Sequence, residues 1–482
     1  MTQRRPGRES RREFLRQASF WGAAIAAADS VGPRRDGASA KAQDKGGAAV
    51  ERAVQDARVE ILHPRARVPA SFIIDDSTCL VNMGHFCMPQ FAAAWPDREA
   101  YRRPWETWPR EIPDAFVREF GEWCGEHGVR GKYSVVPYPA CVGWLDRELP
   151  GWSRRQLQDS LRLVRELMLP NWDIHPEMIT HTRVIDLTTG RPLAEIDSST
   201  MENSYPQRAL SVDQMADYMA YALRILRNCD LPCEGITTPG GFGNRVKSEL
   251  SQGVRQAVLD VFPQVDVPHY FKYVKEGQDG TMPTLEQVRG VETTRPEFVV
   301  NVPAGTGDWF GGWDGDQVSA GEKYASADGR RGRLVELIQR NEPAVMLCHW
   351  PGLYSHGSKA GFHDFQRVIR SLEEHFPERL LWQKPSELAR YAAARQLTQI
   401  EANDAQVTFH APTACRDFTV RLRGPWRPPF QRGRQGERQP LEESLDLRRL
   451  REGTFCRDGE SYVVCLQLAQ GVTTLSALTE RK

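Results

Sequence analysis

The sequence predicts an α/β fold: a (β/α) barrel over residues 66–397, followed by a small β-rich domain over residues 398–482. Three observations carry this expectation. Between residues 66 and 397, short apolar runs alternate with amphipathic stretches of helical period, the pattern of parallel strands joined by crossover helices. After Arg395 the texture changes to segments of alternating polarity, which suit antiparallel strands. A chain of 482 residues also exceeds the usual size of one core, so two domains are expected.

The elements follow in order. Residues 71–74 and 131–136 are apolar runs of strand length. Ser153 can cap a helix over 153–168. Ser211 with Gln214 three positions later fits a capping box, and Met215, Tyr218, Met219, Ala222, Leu223 and Leu226 then recur at helical spacing as a core-facing stripe. Strands are expected at 235–238, 298–302 and 344–348, and helices at 332–340, 364–375 and 385–395. In the last part, 406–409, 418–422, 462–468 and 473–478 alternate as antiparallel strands. The Pro- and Arg-rich stretch 425–439 connects the second to the third as a long solvated loop.

The first forty residues concern delivery. Ser10-Arg11-Arg12-Glu13-Phe14-Leu15-Arg16 precedes an apolar stretch, 18–28, and then small residues suited to cleavage near Ala26-Ala27-Ala28 or Ala38-Ser39-Ala40. This is the order of a twin-arginine export signal, which leads to a periplasmic or secreted protein. The apolar stretch is short of the ~20 residues that span a bilayer, and no later segment qualifies, so no integral membrane segment is expected in the mature protein.

Charge is balanced, with 63 basic and 63 acidic residues. Residues 1–40 carry eight Arg and four Asp or Glu, so cleavage leaves 55 basic against 59 acidic residues, a balance that argues against a nucleic-acid partner. The ten cysteines are scattered and form no zinc-knuckle spacing. Cys456 and Cys465 are placed to pair across a hairpin. Oligomeric state is not legible.

The chemistry gathers at strand ends. Asp75 and Asp76 close the first apolar run, and two carboxylates at the tip of a buried strand are costly unless a cation or a shared proton offsets them. His175 and His181 are near enough in sequence to bind one ion, and His349 ends the run 344–348. In a barrel, chemistry collects at the carboxyl ends of the strands, where Asp75, Asp76 and His349 belong.

The order of these motifs resembles the polysaccharide deacetylase family (NodB-homology, carbohydrate esterase 4 type) of the glycoside hydrolase/deacetylase β/α-barrel superfamily. Ile74-Asp75-Asp76-Ser77 resembles its first motif, His175 and His181 its metal-binding histidine pair, and Thr238-Pro239-Gly240-Gly241-Phe242-Gly243 a worn form of its Arg-Pro-Pro-Tyr motif. Gly307-Asp308-Trp309 falls where the Asp-Trp motif lies, and Leu347-Cys348-His349 resembles the last motif.

The resemblance implies a distorted seven-stranded barrel and an exported metal-dependent hydrolase that removes acyl groups from an amino sugar or polysaccharide. A divalent ion, Zn²⁺ by the donor set, would be held by Asp76, His175 and His181, with Asp75 as base and His349 as acid. Two departures stand out. The histidines are six residues apart where the family has four, which calls for a loop at Pro176. Thr237 or Thr238 replaces the arginine that tethers the base, with Arg245 the nearest substitute.

Other residues have weaker claims. His85 follows the first strand, Glu177 is placed to orient one imidazole, and His356 and His363 suit the surface. Trp309, Phe310, Trp313 and Trp350 would stack on sugar rings or fill the core. Two further functions fit the same pattern: a glycosidase using Asp75 and Asp308, and a glycan-binding protein without turnover.

Overall fold

In the computed structural model, residues 52–477 are described, except 78, 278, 313, 316 and 435. The expected export signal and Trp313 lie outside the described residues.

The α/β character is clear. Among the described residues, eight parallel strands follow one another in chain order: β1 (Val68–Ser77), β2 (Gly131–Val135), β3 (Trp172–Pro176), β4 (Gly235–Thr237), β5 (His269–Phe271), β6 (Glu297–Asn301), β7 (Ala344–His349) and the short β8 (Leu380–Trp382). They form two sheets. One runs β7-β1-β2-β3, with β8 paired parallel to the start of β1, and the other runs β4-β5-β6 with the antiparallel strand Thr284–Arg289 at its edge. Among the described residues a single bridge, Glu177 to Thr237, links β3 to β4. Across the other seam the Gly305 amide donates to the Val345 carbonyl at 2.8 Å, just beyond the end of β6. The ladder is therefore open at two seams.

Local sequence explains the connecting helices. Ser153 and Ser211 each complete a capping box, with Gln156 and Gln214, at the starts of Arg154–Leu163 and Val212–Asn228, and satisfy amides that a helix start leaves bare. Arg154–Leu163 then runs into a π turn at Val164–Met168. The expected helices at 332–340, 364–375 and 385–395 occur as Arg333–Gln339, Ala360–His375 and Pro385–Leu397.

The largest apolar core packs the helices on the strands, with Phe72, Phe120, Trp172, Trp350 and Phe365 buried in it. Phe72 stacks on Phe365 at 4.6 Å between centroids, so β1 is fixed against the helix Ala360–His375.

The C-terminal part makes two five-stranded sheets around a separate core that includes Phe409, Phe418, Phe430 and Phe455. The N-terminal strand Val59–Ile61 pairs with Cys415–Leu422, so one of these sheets draws in residues from the other end of the chain. The stretch 425–439, expected as a loop, instead holds Phe430–Arg434 hydrogen-bonded to Glu437–Pro440. The arginines there lie on an edge hairpin, where charge is tolerated.

Cys456 and Cys465 do not pair. They face Val463 and Thr454 across the ladder, and all ten cysteines are free thiols. No helix among the described residues is long and apolar enough to cross a membrane.

Candidate metal centre and active site

Adjacent residues on a regular strand point to opposite faces, so Asp75 and Asp76 could not share a site without a distortion. The structure supplies one. Ile74 pairs with Tyr133 and Ser77 with Val135, so β1 takes an extra step against β2. Asp76 sits in the left-handed region at φ 52°. This bulge places both carboxylates in the protein, with Asp75 4% and Asp76 2% exposed. Asp75 stands opposite His349 in the β1–β7 register.

Three side chains converge beside the bulge: Asp76, Glu177 and His181, all buried. His181 Nε2 lies 2.9 Å from Asp76 Oδ1, and Nδ1 lies 3.3 Å from Glu177 Oε1. The Asp76 amide donates to Glu177 Oε2 at 2.9 Å. Burial works against a charged His181, but the two carboxylates overcome it and hold its pKa well above the usual histidine value. Burial likewise penalises the Asp76 charge, yet His181 and His349 keep its carboxyl below the usual range.

Among the described residues, buried Asp76 Oδ1 and His181 Nδ1 make only these ion-pair contacts, at 2.9 and 3.3 Å, and no hydrogen bond of good geometry. Buried ligand atoms that meet one another without well-formed hydrogen bonds, beside two carboxylates, are what a divalent cation would satisfy. The residues present therefore fit such an ion, with a set richer in oxygen than Asp-His-His.

The segment that carries His181 is held from below. Glu202, fully buried, accepts the amides of Ile179, Thr180 and His181 at 3.2, 3.1 and 2.6 Å, and the Tyr218 hydroxyl at 2.6 Å. Burial pushes the Glu202 carboxyl up to about 7, against those four donors.

His175 is not part of this group. It lies on β3 opposite Ser134, rather than in a loop, and its Nε2 faces His269 Nε2 at 3.0 Å. The side-chain period of a strand explains the difference. Asp173, His175 and Glu177 share one face at successive depths, and Asp76 and His181 meet Glu177 at the upper level, so His175 sits one layer too deep. The four-residue spacing that the resemblance implies runs from Glu177 to His181. That spacing, with a carboxylate in the first position, was the signal available in the sequence.

Asp75 is paired with Lys132, a fully buried lysine on β2, which also donates to Ser134 Oγ at 2.6 Å and Thr237 Oγ1 at 2.7 Å. Ser134 Oγ donates to Asp75 Oδ1 at 2.8 Å. Burial raises the Asp75 carboxyl, and the Lys132 charge opposes that rise. Lys132 thus tethers Asp75 from a neighbouring strand. Arg245 does not: it is exposed and donates to the Gln207 carbonyl at 3.0 Å. A lysine inside the apolar run 131–136 was the clue.

His349 Nδ1 lies 2.7 Å from Asp308 Oδ2, and its Nε2 lies 3.9 Å from Asp76 Oδ2. Burial would lower the imidazole, but Asp308 first, then Asp76 and Asp75, raise its pKa to about 9. Asp308 therefore orients the ring and fixes its proton. The other candidates lie apart from this arrangement. His85 is buried with Nδ1 3.0 Å from the Trp108 carbonyl oxygen, and His356 stacks on Trp108 at 5.0 Å. Phe310 and Trp350 are core residues, 0% and 1% exposed, and Trp309 is partly buried against Tyr324.

No protein-family model and no curated relative matches the chain. Solved structures do. A Mycobacterium smegmatis protein assigned as a polysaccharide deacetylase is 12% identical at TM-score 0.38, over 74% of this chain and 99% of its own. A Parabacteroides distasonis protein assigned as a glycoside hydrolase/deacetylase is 11% identical at TM-score 0.37, over 74% and 81%. A carbohydrate esterase 4 pseudoenzyme from Bacillus anthracis is 12% identical at TM-score 0.27, over 68% and 67%. These likenesses are distant, and the residues of the site, rather than the likenesses, carry the functional reading.

Proposed function

We propose that this protein is an exported, metal-dependent hydrolase that removes acyl groups, acetyl above all, from an amino sugar or polysaccharide. The observation that carries the reading is the buried Asp76–Glu177–His181 group, whose ligand atoms lie close enough together to hold one ion, set beside a carboxylate, Asp75, and an imidazole, His349.

Asp76, Glu177 and His181 would hold the divalent ion, Zn²⁺ being one that such donors accept. When bound, it would supply Lewis acidity toward an acyl oxygen and acidify a water. Asp75, steadied on Oδ1 by Lys132 and Ser134, would accept the proton of the attacking water. His349, with Nδ1 held by Asp308, carries its transferable proton on Nε2 and would deliver it to the leaving amine or alcohol.

A glycosidase using Asp75 and Asp308 is less well supported. Each of those carboxylates is already committed to a cation, Lys132 and His349 respectively. The test is a screen of the purified protein, loaded with Zn²⁺, for release of acetate from N- and O-acetylated glycans. Acetate release abolished by Asp75→Asn supports the proposal. Release of reducing ends instead supports the glycosidase, and glycan binding with neither product supports a binding protein.

A further inference from the structure

Below the candidate metal centre lies a second group of buried side chains close enough together to hold an ion: Asp173, His175 and His269. Unlike Asp76 Oδ1 and His181 Nδ1, which make ion-pair contacts without good hydrogen-bond geometry, these residues form hydrogen bonds to protein partners. Asp173 accepts the Ser386 amide at 2.7 Å and the Ser386 hydroxyl at 2.9 Å, at the start of the helix Pro385–Leu397. The two rings meet Nε2 to Nε2 at 3.0 Å. Gly235 permits this, because a Cβ there would stand 2.6 Å from one Nε2 and 2.7 Å from the other. At their far sides, His269 Nδ1 lies 3.4 Å from the Val267 carbonyl oxygen, and His175 Nδ1 lies 3.4 Å from Thr237 Oγ1.

One proton arrangement satisfies every contact along the line from Lys132 to Val267, with the Ser134 proton going to Asp75 at 2.8 Å rather than to Thr237 Oγ1 at 3.2 Å. A carbonyl only accepts, so His269 donates from Nδ1. Burial keeps that ring neutral, with its pKa lowered to about 4, so its Nε2 is a bare acceptor. His175 must then donate from Nε2. Asp173, the carboxylate of this group, is taken up by the Ser386 amide and hydroxyl, so a second cation beside Lys132 would be poorly compensated; His175 is neutral and accepts at Nδ1. The one proton of the Thr237 hydroxyl goes there, and its oxygen accepts from Lys132 at 2.7 Å. The three protons of Lys132 are now assigned, to Thr237, Ser134 and Asp75.

We infer that Lys132, Thr237, His175 and His269 form one buried hydrogen-bonded chain in which every donor from Lys132 onward points toward the Val267 carbonyl, while Lys132 also donates to the Asp75 carboxylate and holds it in place. In this arrangement His175 and Thr237 are positioning residues. The chain also crosses between β3 and β4, where among the described residues the backbone supplies a single bridge. Its existence is independent of the proposed hydrolase, and only its effect on turnover rests on that reading.

The test is ¹⁵N NMR of the histidine rings in the full-length protein holding one equivalent of Zn²⁺, with signals assigned through His269→Gln. The chain requires His175 as the Nε2–H tautomer and His269 as the Nδ1–H tautomer, and Thr237→Val must shift the His175 Nδ1 signal. An Nδ1–H tautomer at His175, or no shift in Thr237→Val, overturns the chain. Both rings as Nδ1–H tautomers, with their Nε2 signals moved by a second equivalent of Zn²⁺, would overturn it in favour of a metal site. In an active protein, Lys132→Met and Thr237→Val should lower kcat by up to ~10²-fold with KM little changed, the scale of a misplaced reacting group, and Lys132→Arg should recover part of the loss. A protein that shows the tautomers but no turnover leaves the chain standing and defeats only the hydrolase.

Discussion

Glu177 ties together two parts of the chain: its Oε1 lies 3.3 Å from His181 Nδ1, while its Oε2 accepts the amide of Asp76 at 2.9 Å. One carboxylate thus fixes both the bulge at the end of β1 and the segment after β3. Without a cation, Asp76 and Glu177 would face one another as buried like charges, a cost that protonated His181 or a divalent ion removes.

Metal content follows from this arrangement. The mature protein should bind about one divalent ion per chain, and Asp76→Ala and His181→Ala should each lose it while keeping their far-UV dichroism. Elemental analysis after purification without chelator reads the result directly, and full retention of the ion in both variants would remove the group as the binding site.

Glu202 carries the His181 segment on three backbone amides and the Tyr218 hydroxyl. Removing it strands those donors in the core, at roughly 1–3 kcal/mol for each group left unpaired. Glu202→Ala should therefore lower the melting temperature and weaken metal binding together. A melt and a metal affinity equal to wild type would show that other contacts hold the segment.

His349 and Asp308 act as a unit in the proposed reaction. His349→Gln and Asp308→Asn should each keep the metal and lower turnover by roughly 10²-fold or more, the usual scale of general acid catalysis. Unchanged acetate release in His349→Gln would remove the ring from the mechanism.

The same pair sets a pH dependence in the metal-free protein. The folded-state pKa of His349 is raised to about 9 from 6.5, so its contribution to stability is complete below pH 6.5 and is lost as the pH rises through about 9. Denaturant unfolding of chelator-treated protein should show stability falling across that window. The fall should be shallower in His349→Gln, and identical slopes would contradict the shift.

Much of the architecture was legible because its strands are apolar throughout. Runs such as Phe72-Ile73-Ile74 and Val345-Met346-Leu347 announce strands buried on both faces, and Ser211 with Gln214 announces a helix start. β3 was not, because Trp172-Asp173-Ile174-His175-Pro176 alternates and puts polar groups inward, which reads as a surface segment. β5 is only three residues long. The site shows the same division. The strand ends marked Asp75, Asp76 and His349, whereas the depth of His175 depends on strand register, which spacing alone does not give. Lys132 and Glu202 act through partners distant in sequence.

Export is a separate expectation, resting on Arg11 and Arg12, which lie outside the described residues. Changing both to Lys should leave the precursor in the cytoplasm with its fold intact. Fractionation of cells expressing the double variant would show this, and unchanged delivery would indicate another route.

The central claim is that Glu177, and not His175, completes the metal group with Asp76 and His181. Calorimetric titration of Zn²⁺ into chelator-stripped Glu177→Ala and His175→Gln measures it most directly. The account predicts that Glu177→Ala loses the binding isotherm, while His175→Gln keeps one site of near wild-type affinity. Binding retained in Glu177→Ala and lost in His175→Gln would contradict it.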